Sequence, residues 1–229
     1  MKNYRMLKWG LSASFIMAVC GLAVAWILPA NMLLPTHWNA NGNIDGYANI
    51  DGYANKWVAL MLAPMTSAFV TIVLYGSAQI DPRQENIARS APFIEMTMIA
   101  LVVLFAIIQF VITSYGLGFH PPAKRLILGC VGAIFLVIGN YAAKTRPNFF
   151  FGIRTPWTLS SDEVWIKTHR YAGYAFALTG AAIVLIAAFD SNNRWALPAV
   201  ISGSIWSALS PAFLSYLLWR QLPKDTPHP

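Results

Sequence analysis

The chain has 229 residues, of which 57% are hydrophobic and 11% charged, with a mean hydropathy of +0.51. No ordinary soluble domain of this size is so apolar, so the composition indicates a polytopic membrane protein. The formal charge of +7 does not point to nucleic acid, because the basic residues are scattered between apolar runs and form no single patch.

In chain order, six apolar stretches come close to the ~20 residues that cross ~30 Å of hydrocarbon. They cover about 9–28, 57–80, 92–115, 126–143, 171–189 and 196–219. Backbone groups in lipid must be satisfied within their own segment, so these stretches are expected to be helices. The expected fold is all-α, a single membrane domain over 1–229 with an outer loop at 29–56 and an inner polar loop at 144–170. Lys2, Arg5 and Lys8 before the first stretch, and Ala23-Val24-Ala25 within it, have the look of a signal peptide. The apolar run continues through Trp26, Ile27 and Leu28, and an uncleaved anchor is the better reading.

Lysine and arginine set the orientation. With the amino terminus inside, Lys2, Arg5, Lys8, Arg83, Arg89, Lys144, Arg146, Arg154, Lys167, Arg170, Arg220 and Lys224 fall on inner segments; Lys56, Lys124, Arg125 and Arg194 fall outside. This bias places both termini in the cytoplasm.

The first loop contains Leu34-Pro35-Thr36-His37-Trp38-Asn39, a turn signal at Asn41-Gly42, and a tandem duplication in which Ile44-Asp45-Gly46-Tyr47-Ala48-Asn49 recurs as Ile50 to Asn55. Two Asp-Gly turns predict a compact, non-helical loop. Trp38, Tyr47, Tyr53 and Trp57 suit an interfacial aromatic belt. The same rings, with the asparagines, also suit a lid or recognition surface.

Inside the spans, Glu95 is the one acidic residue, near the inner end of its helix. A lack of charge at mid-membrane counts against transport, although Pro64, Pro198 and Pro211 could open kinks and Gln109 and Asn140 could bond between helices. Gly173 with Ala177, Ala177 with Ala181, and Gly203 with Ser207 have the four-residue spacing of close packing surfaces. Cys20 and Cys130 are expected to be buried thiols with no disulfide.

The second polar stretch is 147–170. Gly152 to Pro156 should be irregular, since proline biases the residue before it away from helix. A helix should start near Ser161, with Ser160 and Glu163 as a capping box and Leu159 stapled to Val164. Val164, Trp165, Thr168, Tyr171 and Ala172 would share one face, with Lys167, His169 and Arg170 elsewhere. Asp162 and Glu163 are candidate partners for Arg154, whose fork of donors lysine reproduces poorly.

The LPTHWNANGNIDG stretch with Lys56-Trp57 resembles the L-P-x-H-W-N-x-x-G-x-x-D signature of the amino-terminal module of SdpI-like proteins. Gly152-Ile153-Arg154-Thr155-Pro156-Trp157-Thr158, with Val164-Trp165 and Thr168-His169-Arg170, resembles the carboxy-terminal module of the SdpI family of bacterial toxin-immunity membrane proteins. One departure is the second I-D-G-Y-A-N unit, which leaves either Asp45 or Asp51 in the family position. The resemblance implies a multi-pass protein of the bacterial inner membrane that protects against a membrane-active toxic peptide outside and recruits a transcriptional repressor inside. The candidate ligand-binding residues are then His37, Trp38, Asn39, Gly42, Asp45, Asp51 and Lys56. The candidate partner-binding residues are Gly152, Arg154, Thr155, Pro156, Trp157, Glu163, Trp165, His169 and Arg170. No cofactor or metal is expected: His37, His120, Asp45, Asp51 and Asp190 could form a metal set, but no H-E-x-x-H, clustered Cys/His or G-x-S-x-G accompanies them. A small-solute or ion transporter and a membrane-embedded metal-dependent enzyme are the alternatives.

Overall fold

The computed structural model describes residues 4–39, 44–47, 54–190 and 194–223. Among the described residues, six long helices are apolar enough to cross a membrane: α1 (Tyr4–Ile27), α2 (Lys56–Ile80), α3 (Gln84–Gly116), α4 (Ala123–Ala142), α6 (Asp162–Phe189) and α7 (Ala196–Arg220). A one-turn helix, α5 (Pro156–Ser160), lies between α4 and α6. Three short strands among the described residues, β1 (Leu33–Trp38), β2 (Ile44–Tyr47) and β3 (Ala54–Asn55), form an antiparallel sheet in the order β2-β1-β3 between α1 and α2. The molecule is thus an α-helical polytopic membrane protein with a strand face at one end of the bundle and a motif face, carrying residues 143–161, at the other.

The helices pack as two groups, α1-α2-α3 and α4-α6-α7, joined where α3 meets α4. In the first group, Ser14 Oγ lies 2.9 Å from both Gly10 O and Ser67 Oγ. In the second, glycines seven residues apart form the seam between α4 and α6. A Cβ on Gly139 would lie 2.5 Å from Ala177 N, and one on Gly180 would lie 2.6 Å from Leu136 N. Because lipid supplies no hydrophobic drive between helices, such backbone-to-backbone approach is what the association rests on. Gly203 of α7 sits against Thr179 of α6, whose Oγ1 is 2.8 Å from Ser207 Oγ.

Several local expectations need correction. The third apolar stretch is part of a longer helix that starts at Gln84 and carries Pro92 in its interior. The extra turns hold because Gln84 Nε2 donates to the carbonyls of Ala78 and Asp81, and Asn86 and Ser90 bond the motif loop. Asp45-Gly46 is no turn: both lie in β2, with Gly46 opposite His37 beside a register shift, a usual place for glycine within a strand. The turn expected at Asn41-Gly42 and the Asp51-Gly52 pair lie outside the described residues. Cys20 is exposed on α1 and Cys130 half-buried, and Asn140 faces outward, so it bonds no neighbouring helix across the bundle core.

Candidate functional site

The motif loop is built around Asn148, a fully buried side chain in the connection from α4 to α5. Its Oδ1 accepts from the backbone N–H of Phe150 and Phe151, and its Nδ2 donates to the carbonyls of Arg146 and Phe151. One amide thereby satisfies four backbone groups of a turn that neither helix nor sheet could satisfy. Around it the loop is tied to the α2–α3 corner. Asp81, only 1% exposed, accepts from Arg83 N at 2.7 Å with Oδ1 and from Phe149 N at 2.7 Å with Oδ2. Asn86 Nδ2 donates to Pro147 O at 2.7 Å, and Arg146 N donates to Ser90 Oγ at 2.8 Å.

The second anchor is α6. Trp165 is fully buried, its indole N–H donates to Thr145 Oγ1 at 3.3 Å, and its ring stacks on His169 with centroids 4.1 Å apart. His169 Nε2 accepts the Ile153 N–H at 2.8 Å, while Nδ1 lies 2.9 Å from Trp165 O. A nitrogen that accepts from a backbone N–H carries no proton, so the ring is neutral and Nδ1–H donates to Trp165 O. His169 was expected off the apolar face; it is 2% exposed and belongs to the interior. The backbone reaches the ring only because residue 152 is glycine: φ is +109°, and a Cβ there would lie 2.4 Å from His169 Nε2.

The third anchor is α7. Thr155 caps α5, receiving the Thr158 N–H on its side chain while Thr158 Oγ1 accepts from Thr155 N, with Pro156 at the first helical position. Thr155 Oγ1 also lies 2.9 Å from Ser215 Oγ, and Trp157 packs on Tyr216 at 5.1 Å. The capping box therefore belongs to Thr155 and Thr158. Ser160 ends α5, and the cap of α6 is Ser161, whose Oγ accepts from Val164 N. Glu163 does not reach back to Ser160 but pairs with Lys167, and Asp162 pairs with Arg83 at 3.7 Å. With both carboxylates so engaged, Arg154 finds a carbonyl instead: Nη1 donates to Phe149 O at 2.7 Å.

The candidate partner-binding residues thus divide. Trp165 and His169 are interior supports, and Thr155 and Trp157 dock α5 on α7. Gly152, Arg154, Pro156, Glu163 and Arg170 are exposed, together with the ring of Phe149. Asp81, Asn86, Ser90 and Asn148 were not singled out from the sequence. Asp81-Pro82 and Pro147-Asn148 are turn signals that could have marked two of them.

On the strand face, Trp38 packs edge-on against Tyr115, which does the same against His120. His37, Trp38 and Asn39, with Thr36, line the mouth of a cavity of about 340 Å³. One face of α4 (Lys124, Ile127, Leu128 and Val131, at helical spacing) forms one wall, and Ile108 of α3 and Val200 of α7 form the others. Lys56 is not part of this set: it is 5% exposed, and its Nζ donates to Leu28 O at the end of α1. The side chain of Asp45 is not described, and Gly42 and Asp51 lie outside the described residues. Among the described residues, no three His, Cys, Asp or Glu side chains are grouped to hold a metal.

Residues 144–216 match the model of the SdpI/YfhL protein family. The match contains the whole partner-binding set and α5; the amino-terminal L-P-x-H-W-N stretch lies outside it. Among curated proteins, the immunity protein SdpI of Bacillus subtilis (strain 168) is 28% identical over 145 residues, covering 60% of this chain and 68% of that protein. No solved structure matches.

Proposed function

Because residues 144–216 match the model of the SdpI/YfhL family and an immunity protein is 28% identical over 145 residues, we propose that this multi-pass bacterial membrane protein protects its cell from a membrane-active toxic peptide. In this reading the strand face is outside, which the bias of the basic residues supports, and meets the peptide through His37, Trp38, Asn39 and the residues that continue that loop. The motif face is cytoplasmic and presents Arg154, Pro156, Glu163 and Arg170 to a partner, a transcriptional repressor being the type the family resemblance suggests. The protein works by binding and carries out no catalysis.

The observation that carries this reading is the construction of the motif loop. It is bonded at once to the α2–α3 corner through Asp81, to α6 through His169 and to α7 through Thr155. A shift of any of these helix ends, caused by a ligand at the far face, therefore reaches the exposed part of the loop, as coupling through a contiguous network requires.

The test is survival. Sensitive bacteria producing the chain are exposed to membrane-depolarising peptides, and protection above the empty-vector control is expected. No protection, together with proton or solute flux in vesicles holding the purified protein, would establish the transporter alternative. The sides are tested by reporter fusions: those between Lys144 and Pro147 should read cytoplasm and those within 41–55 the exterior.

A further inference from the structure

We propose that the motif-face end of α7, residues 211–220, is a flap hinged at Pro211 that swings away from α5 and uncovers Thr155 and Trp157. The part of α7 before the proline is locked on α6. A Cβ on Gly203 would lie 2.5 Å from Thr179 Cγ2, Thr179 Oγ1 lies 2.8 Å from Ser207 Oγ, and Ser207 Oγ lies 3.4 Å from Ala175 O. One turn further on, the helix changes character. Pro211, inside α7, has no N–H for the Ser207 carbonyl and its ring crowds that carbonyl, so the backbone is weakest there. Two hydroxyls on this stretch of the α6–α7 contact are buried without a partner. One is Ser210 Oγ; the other is Thr168 Oγ1, two turns before Ala175 and so on the same face of α6.

Beyond the proline, α7 is latched to α5. Ser215 Oγ lies 2.9 Å from Thr155 Oγ1, and the rings of Tyr216 and Trp157 are 5.1 Å apart. A segment held by one hydroxyl contact and one ring pair, below a backbone break and beside hydroxyls that closure leaves unsatisfied, loses little when it opens. The locked turns at Gly203 and Ser207 do not follow, so the motion is confined to 211–220. Nor does α5 follow, because its capping box closes without α7 and Thr158 Oγ1 lies 2.8 Å from Ile153 O. Opening therefore offers Thr155 Oγ1 and the Trp157 ring beside the already exposed Arg154 and Pro156. A partner that reads all four binds the open flap; this last step rests on the function proposed above, whereas the hinge itself does not.

Hydrogen exchange of the full chain in nanodiscs, resolved by peptide mass spectrometry, tests the hinge with no partner present and independently of any survival result. Residues 212–218 should exchange about tenfold faster than 164–169, the turns of α6 at the same end of the bundle, and than 199–207 of α7 itself. Pro211→Ala, which restores an N–H for the Ser207 carbonyl, should slow the 212–218 window about fivefold, the worth of one net backbone hydrogen bond. Ser215→Ala, which cuts the latch to Thr155, should speed the same window by about that factor, and neither variant should change 199–207. Equal exchange of 212–218 and 164–169 overturns the proposal. So does a fast rate in 212–218 that does not respond to Pro211→Ala, since fraying from the helix end alone gives that result. Should Pro211→Ala fail to fold, Ser215→Ala decides alone, and an unchanged window overturns the proposal.

Discussion

The two ends of the bundle solve opposite problems. On the motif face, a polar stretch in irregular backbone is closed by its own side chains: Asn148 and Asp81 between them satisfy backbone groups from five residues, and His169 takes the N–H of Ile153. On the strand face, a three-stranded sheet with register shifts stands over a cavity whose lining is largely aliphatic. The difference teaches where each kind of recognition belongs. A loop whose backbone is tied down by buried side chains holds a fixed shape, whereas an open, mostly apolar slot leaves its contacts undirected.

The comparison breaks most severely if the motif loop loses its glycine. Gly152→Ala adds a Cβ 2.4 Å from His169 Nε2 at a φ of +109°, and both the strain and the clash are unavoidable. A loss of ~3 kcal/mol or more is expected, read as a drop in thermal stability in detergent, and an unchanged melting temperature would mean that the loop is not held as described. Next in size, Gly139→Ala should cost about 1–3 kcal/mol by forcing the seam apart at Ala177 N, and the loss should appear as earlier unfolding of the α4-α6-α7 group by hydrogen exchange.

Asp81→Asn removes one of two carboxylate oxygens that accept backbone N–H groups and points an amide at a donor. About 1–3 kcal/mol is expected, the cost of an unsatisfied buried group. Hydrogen exchange should localise the effect to the α2–α3 corner and to residues 145–153, with the strand face unchanged. If the strand face loosens equally, the two ends are not the separate structures described here. The smallest effect is expected at Arg154. Its contact is a single bond to Phe149 O, which lysine can also make, so Arg154→Lys should shift stability by less than about 0.5 kcal/mol. Arg154→Glu should leave the fold equally intact and reduce protection by reversing the charge offered to the partner.

Much of this division was legible in the sequence. Six spans follow from the length of apolar runs, and the break at Gly152 to Pro156 follows from glycine and proline chemistry, because both are local. The one-turn helix α5 was not legible, since its capping box uses Thr155 and Thr158 where Ser160 and Glu163 offered the more familiar pattern. Nor was the burial of His169, which depends on a glycine seventeen residues earlier bringing Ile153 N–H onto the ring. The seam glycines Gly132, Gly139 and Gly180 were passed over because seven-residue spacing shows a packing face only when the facing helix is known. Asp81 escaped for the same reason: its partner Phe149 lies 68 residues away.

The central claim, that the motif loop held by its buried supports is what makes this chain protective, is tested most directly by His169→Phe. Phenylalanine keeps the stacking on Trp165 but takes away the acceptor for Ile153 N–H, so the protein should still insert while the exposed loop loosens. Survival of peptide-challenged cells is measured at matched membrane levels of the parent and of His169→Phe. The account predicts that the parent protects and the variant loses most of that protection; equal survival of the two at equal levels would contradict it.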